Sequence, residues 1–313
     1  MKFALKKVPG LVWLVHGSRG LVQHLCVCFL RNFLSFATGK PMRRGLLFDS
    51  LPGRFALAEH ARESYLVCIS DRVIGRILYA RGDFDFAKFE KAYQILCDKN
   101  IISVEKALPT LFDVGANIGS ICLPALARNM VRDCLAFEPD AENFRLLQIN
   151  ALLNGVEDGI TLHLAAVGQQ AGSVSVLRSQ TNFGDHRVRQ SLGSSVDSVP
   201  MVTLDTFADS IDLDNTILWM DVQGFEGFVI AGAARFCVQG VPLVLEYCKA
   251  DLVAAGCYDL LIEKLLAAKY TMFYDLNEGR AKPQPLTQAA MYGLADRLDA
   301  DNTFTDLLFL PEV

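Results

Sequence analysis

Leu111-Phe-Asp-Val-Gly-Ala-Asn-Ile-Gly119 reads as a buried strand running into a glycine turn, with a helix behind it near Ile118–Arg128. The apolar run ahead of Asp113 supplies the strand. Gly115 and Gly119 supply the tight turn, which lets a ligand approach backbone N–H groups, while a helix N-terminus favours a carboxylate or phosphate. About twenty positions beyond the turn, Phe137-Glu138-Pro139 puts an acidic residue at the end of the next strand, where it suits the paired hydroxyls of a ribose. A nucleoside-containing cofactor at the carboxyl ends of parallel strands is the expectation.

Strand and helix alternate outward from this unit. Upstream, Leu66–Ile69 and Val73–Tyr79 predict short strands and Phe86–Cys97 an amphipathic helix. Downstream, strands are expected at Cys134–Phe137, Ile160–Val167, Thr216–Met220, Val241–Tyr247, Tyr270–Leu276 and Thr305–Leu310. Helices are expected at Ala141–Asn154, Phe225–Phe236 and Leu260–Ala268, with Asn154-Gly155 as a stop signal. Ser173–Leu177 and Met201–Leu204 suggest an extra pair beside the core, separated by a polar stretch, Ser179–Val199, that reads as an acceptor-binding lid or a flexible loop. The fold class is α/β: a doubly wound, Rossmann-like sheet of seven strands with its ligand at the topological switch point. Residues 1–54 form an N-terminal extension, 55–103 a pre-core segment and 104–313 the main domain.

Hydrophobic residues make up 51% of the 313 residues and charged ones 21%, which supports a sizeable core and excludes global disorder. Nine cysteines run from Cys26 to Cys257 with no CxxC pair, favouring reduced thiols in a cytosol-like compartment over a disulfide framework or zinc site. The net charge of −5 is uneven, because residues 1–54 hold nine Lys and Arg against the single acid Asp49. His16 and Arg19 cut short the apolar run that a secretory signal needs, and charged or polar residues interrupt every span of membrane length. Two readings of the extension remain: a basic amphipathic helix on anionic lipid at the inner membrane surface, or a helix packed on the main domain or a protein partner. Nucleic acid is not an expected partner, since the body is acidic and no reader motif is present.

The turn also discriminates between cofactors. Nicotinamide dinucleotides use G-x-G-x-x-G, whereas here Gly115-Ala-Asn-Ile-Gly119 lacks the middle glycine and Asp113 would repel a pyrophosphate. A carboxylate there suits an ammonium group. Ribose, adenine and an amino acid joined through a sulfonium describe S-adenosylmethionine.

Asp113-Val-Gly-Ala-Asn-Ile-Gly119, Phe137-Glu-Pro139, Val202-Thr-Leu-Asp-Thr206, Trp219-Met-Asp-Val-Gln-Gly-Phe-Glu226 and Leu243-Val-Leu-Glu246 together resemble the FkbM family of S-adenosylmethionine-dependent methyltransferases. The resemblance runs from about Gly82 to the C-terminus. It implies a class I methyltransferase fold and O-methylation of a sugar, glycan or secondary metabolite. Asp113, Gly115, Asn117 and Gly119 would hold the methionine end, Glu138 the ribose, and Ala166, at the end of the third strand, the adenine. Asp221 would face the transfer site, with Glu226 just beyond it. Many relatives carry a lysine and a glutamate where this chain has Trp219 and Gln223, which leaves open a base drawn from those positions. The same departures motivate an alternative reading as a non-catalytic cofactor-binding module docking to a partner; a nicotinamide oxidoreductase is a further alternative.

Charge sets the expected mechanism. A carboxylate beside a sulfonium stabilises the ground state more than the transition state, so Asp221 helps only by orienting the acceptor hydroxyl or taking its proton. His186 is the competing base, against a reading as a solvated loop histidine. His163 reads as a satisfied sheet histidine. Asp205 reads as the N-cap of a short helix, Thr206–Ile211, and Glu246 as a wall of the acceptor pocket or a partner of nearby backbone. Asp221 with Glu246 lacks the spacing of a metal site.

Overall fold

The computed structural model describes residues 44–102, 107–179, 181–190 and 198–311, in two units, Met1–Ser50 and Leu51–Val313. The membrane and packing readings of the basic extension fall on residues 1–43, outside the described ones. Of the first unit the structure describes helix α1, Arg44–Phe48. No helix among the described residues is long and apolar enough to cross a membrane.

In the second unit, strands β1 (Phe55–Glu59) and β2 (Ser64–Cys68) form an antiparallel hairpin, followed by helices α2 (Ile74–Arg81) and α3 (Phe86–Asp98). Then come β3 (Thr110–Val114), α4 (Cys122–Ala127), β4 (Asp133–Phe137), α5 (Ala141–Asn154), β5 (Ile160–His163) and β6 (Ala166–Val167). Next are β7 (Gly172–Leu177), β8 (Arg187–Gln190), β9 (Ser198–Val202) and β10 (Thr216–Met220). The chain continues through α6 (Glu226–Ala231), α7 (Ala234–Gln239), β11 (Leu243–Tyr247), α8 (Lys249–Ala255) and α9 (Tyr258–Ala267). It ends with β12 (Tyr270–Asp275), β13 (Gln284–Pro285), α10 (Gln288–Ala300) and β14 (Thr305–Pro311).

The main sheet has the order β13-β12-β14-β11-β10-β3-β4-β5. Its β11-β10-β3-β4-β5 half is parallel and β14 runs antiparallel between β11 and β12. The expected seven strands become eight because Gln284-Pro285 adds a short rung at the β12 edge, where proline is tolerated. Every residue of β3, β10 and β11 is buried, the pattern of parallel strands covered on both faces. One face packs Phe112, Leu218 and Leu245 against Phe236 and Leu261. On the other, Trp219 meets Phe89 of α3 at 5.8 Å between ring centroids.

Local chemistry corrects several expectations. Val73–Tyr79 is helical rather than a strand, because Asp71 accepts the N–H of Val73 at 3.1 Å and of Gly75 at 2.7 Å and so nucleates the first turn. Left-handed Gly82 then closes α2. Ile160–Val167 is two strands: the chain leaves the main sheet after His163, and Ala166-Val167 pairs with Met201-Val202 in a four-stranded sheet ordered β6-β9-β7-β8. The polar stretch after Leu177 contains β8, paired antiparallel to β7. Asp205 caps no Thr206–Ile211 helix; its carboxylate accepts the Arg235 N–H at 2.9 Å, at the start of α7. The single helix expected over Phe225–Phe236 breaks into α6 and α7. Ala141–Asn154 forms as expected, with Asp140 accepting the N–H groups of Glu142 and Asn143 and Gly155 ending it in the left-handed region.

Candidate active site

The cleft opens at the carboxyl ends of β3 and β10, around the turn from Gly115 to Gly119. Gly115 has φ +89°, and a Cβ there would lie 1.9 Å from the Asp221 carbonyl oxygen, so only glycine fits. The turn's donors face inward. The N–H groups of Gly115 and Ala116 both reach the Phe137 carbonyl, at 2.9 and 3.0 Å. Asn117, at φ +52°, donates its N–H to Glu138 Oε2 at 2.9 Å, and its own Oδ1 accepts the Ile118 N–H at 2.8 Å. Gly119 N–H goes to the Ala116 carbonyl, and Cys122 N–H, at the start of α4, goes to Asp113 Oδ2 at 3.2 Å. The N–H groups of Gly115, Ala116, Asn117, Ile118, Gly119 and Cys122 are thus engaged within the protein, while Ser120 and Ile121 line the cavity together with Asp113.

Glu138 is the hinge of this arrangement. Its Oε1 accepts the Asp140 N–H at 2.7 Å while Oε2 holds Asn117. Burial, with the Asp140 charge adding to it, pushes Glu138 up to about 8 against the pull of those two N–H groups. Beyond it the cleft is walled by Phe137, Ala166, Asn143, Phe183 and His186. Ala166 thus reaches the cleft from the second sheet, not from the end of the third strand. Asn117 and Asn143 both donate side-chain N–H to the Phe183 carbonyl, at 2.8 and 3.0 Å, which straps the segment ahead of β8 onto the turn. Asn143 Oδ1 is buried and unpartnered among the described residues. His186 Nδ1 accepts the Ser179 N–H at 3.1 Å, and burial holds the ring below its ordinary value, so it is anchored rather than solvated. His163 lies outside the cleft lining and stacks on Phe137 at 4.7 Å; its Nε2 is buried and has no partner among the described residues, unlike the satisfied histidine expected.

At the end of β10, Gln223 donates from Nε2 to Asp221 Oδ1 at 2.6 Å and to Glu246 Oε2 at 3.3 Å. Burial pushes Asp221 and Glu246 up, and the Asp221 charge further opposes ionisation of Glu246. Glu226 is turned away from the cleft. Its Oε1 accepts the N–H groups of Val222 and Gly224, at 3.1 and 3.3 Å, and burial pushes it up to about 8. The other side of the cleft is acidic, lined by Asp85, Asp113, Asp221 and Asp306 beside Trp219. Burial pushes Asp113 up to about 6. Lys88 sits 2.6 Å from Asp306 and 3.1 Å from Asp85. No group of three or more His, Cys, Asp or Glu among the described residues is arranged to hold a metal ion.

Of the residues singled out in the sequence, Asp113, Gly115, Asn117, Glu138, Ala166, His186 and Asp221 line the cleft and Gly119 and Glu226 do not, while Asp85, Asn143, Phe183 and Asp306 line it without having been singled out. Asn143 had a visible signal, three residues after the N-cap Asp140 that follows Glu138-Pro139. Asp306 had none, since only the antiparallel register of β14 brings it opposite Glu246.

A second groove opens beyond Gln223 and Phe225, which line both cavities together with Val188. Its remaining walls include Leu177, Arg187, Arg189, Phe228 and Asp251.

Residues 113–265 match a family model described as the methyltransferase FkbM domain. Among solved structures, the chain resembles the methyltransferase FkbM of Methylobacillus flagellatus KT at 18% identity, covering 64% of this chain with a TM-score of 0.42. It spans 43% of that protein's chain. M. jannaschii TYW2, in complex with AdoMet, is similar at 10% identity over 84% of this chain and 90% of its own, with a TM-score of 0.41. No curated protein sequence matches the chain.

Proposed function

Residues 113–265 are an FkbM methyltransferase domain of the S-adenosylmethionine-dependent class, and from that premise we propose that the chain O-methylates a hydroxyl on a sugar, glycan or secondary metabolite. The observation that carries this reading is the chemistry of the β3–α4 turn. The N–H groups of Gly115, Ala116 and Asn117 are engaged within the protein, while Asp85, Asp113, Asp221 and Asp306 line the cleft beside the turn. Such a surface suits an ammonium and a sulfonium and opposes a pyrophosphate.

The residues present fit the cofactor. Asp113, aided by Gly115, Asn117 and Gly119 in shaping the turn, would hold its amino-acid end. Glu138 would accept the ribose hydroxyls on lone pairs left by Asn117 and Asp140, and the apolar wall at Phe137, Ala166 and Val167 would receive the adenine. Asn143 Oδ1, unpartnered among the described residues, is a further acceptor on the same wall. When bound, S-adenosylmethionine supplies an electrophilic methyl group.

Asp221 is the group that handles the acceptor's proton. Gln223 fixes Oδ1, leaving Oδ2 to receive a hydroxyl proton, and burial raises its affinity for that proton. A base of this kind contributes roughly 10²–10⁴-fold, in addition to the gain from alignment. His186 is excluded as the base in this arrangement, because a ring whose Nδ1 accepts an N–H carries its proton on Nε2. Glu226 acts through the backbone: by holding Val222 and Gly224 it sets the turn that presents Asp221 and Gln223.

Calorimetry with S-adenosylhomocysteine and NAD, followed by transfer of labelled methyl to a panel of hydroxylated acceptors, tests the proposal. Binding of S-adenosylhomocysteine alone and label on oxygen are expected. Preference for NAD overturns the cofactor, and label on nitrogen or carbon overturns the reaction.

A further inference from the structure

The groove beyond Gln223 differs in charge from the cofactor cleft. The cleft beside the glycine turn is lined by Asp85, Asp113, Asp221 and Asp306, whereas the groove carries Arg187 and Arg189 against Asp251 alone. The two arginines stand on β8, paired across from Leu177 and Ser175 of β7. Alternation along a strand puts them on one side, and Val188 between them packs inward against Ala166, Val174 and Phe225. They are not equivalent. Arg187 donates to Asp185 at 2.9 Å and to Asp251 at 2.6 Å, so its charge is balanced and its side chain fixed. Arg189 is exposed, and no side-chain hydrogen bond or ion pair holds it among the described residues. Across from it, Phe225 and Phe228 lie 4.6 Å apart between ring centroids and offer an apolar wall.

Resting on the methyltransferase reading above, we infer that this groove binds the acceptor and that the acceptor carries an oxyanion, a carboxylate or phosphate, which Arg189 recognises while the rest of the molecule lies along Phe225 and Phe228. The physical reasons are three. A guanidinium with its donors free forms bidentate, charge-assisted bonds to such a group. The groove meets the cofactor cleft at Val188, Gln223 and Phe225, so a molecule anchored at Arg189 can extend a hydroxyl toward Asp221. An anionic molecule is also repelled from the acidic cleft where the methyl donor's cationic end would sit, which sorts the two ligands to opposite ends.

The test uses the full chain saturated with S-adenosylhomocysteine, titrated by calorimetry with methyl glucuronide, glucose 6-phosphate and methyl glucoside. At least one anionic sugar is expected to bind about tenfold or more tightly than the neutral one. A preference for the glucuronide identifies a carboxylate and a preference for the phosphate ester a phosphate. Arg189→Glu should erase the preference and Arg189→Lys should keep part of it, with S-adenosylhomocysteine affinity unchanged in both, which reports that the fold and cofactor site are intact. Equal binding of all three sugars, or a preference that survives in Arg189→Glu, overturns the inference and leaves the methyltransferase reading standing. Failure of the unmodified protein to bind S-adenosylhomocysteine removes both.

Discussion

Glu138 buttresses the glycine turn and faces the ligand with one carboxylate. Its elevated proton affinity means that at neutral pH the empty site holds a proton which ribose hydroxyls, donating to the carboxylate, favour expelling. Binding of S-adenosylhomocysteine is therefore expected to release a proton below about pH 8 and to tighten as pH rises toward that value. Calorimetry in buffers of different ionisation enthalpy reads both effects. Glu138→Gln should weaken that binding by roughly ten- to a hundredfold, the worth of a charge-assisted hydrogen bond, and abolish the proton release. At the other side of the cleft, Gln223→Glu would set a third carboxylate beside Asp221 and Glu246 in place of their shared donor. Denaturant titration should show a loss of about 1–3 kcal/mol, larger at pH 8 than at pH 5 because the new repulsion needs ionised groups. The sequence made Asp113, Glu138 and Asp221 legible because each ends an apolar run beside a turn. It did not reveal that Glu226 points into its own turn, since a carboxylate opening a helix looks the same whether it serves a ligand or the backbone.

At the scale of elements, the turn between β3 and α4 works because β3 and β10 approach at their ends without a side chain between them. Gly115→Ala places a methyl on the Asp221 carbonyl and a left-handed backbone under an L-residue. The variant is expected to lose several kcal/mol of stability or fail to fold, as read by thermal unfolding, whereas Gly155→Ala, with open space around it, should cost only about 1 kcal/mol. Parallel strands were easy to read because continuous apolar runs of five residues bounded by turns have few alternatives. Val73–Tyr79 was misread because its β-branched residues match a strand, while the Asp71 carboxylate that organises a helix lies just outside the run. Ile160–Val167 was misread for a different reason: apolarity persists through the point where the chain changes sheets, and only pairing partners far along the sequence separate β5 from β6.

At the scale of the molecule, the fold concentrates buried acids at one end of a sheet. Glu138 and Glu226 are both raised from 4.5 to about 8 on folding. Their contribution to stability is therefore complete below about pH 4.5 and is lost as pH rises through about 8. Chemical denaturation of the ligand-free protein between pH 5 and pH 8.5 should show that decline. Glu226→Gln, which mimics the protonated side chain, should flatten it. The architecture was legible because alternation of strand and helix leaves few topologies, and the groove was not, because β8 and α8 meet only through the second sheet's pairing. The clasp of Asn117 and Asn143 on the Phe183 carbonyl has a temporal consequence. The donor turn and the arginine-bearing strand are one mechanical piece, so filling the first should quieten backbone deuterium uptake in the second. Initial-rate kinetics should then follow a compulsory sequence, methyl donor before acceptor, and an Asn117→Ala, Asn143→Ala double variant should let the two bind at random.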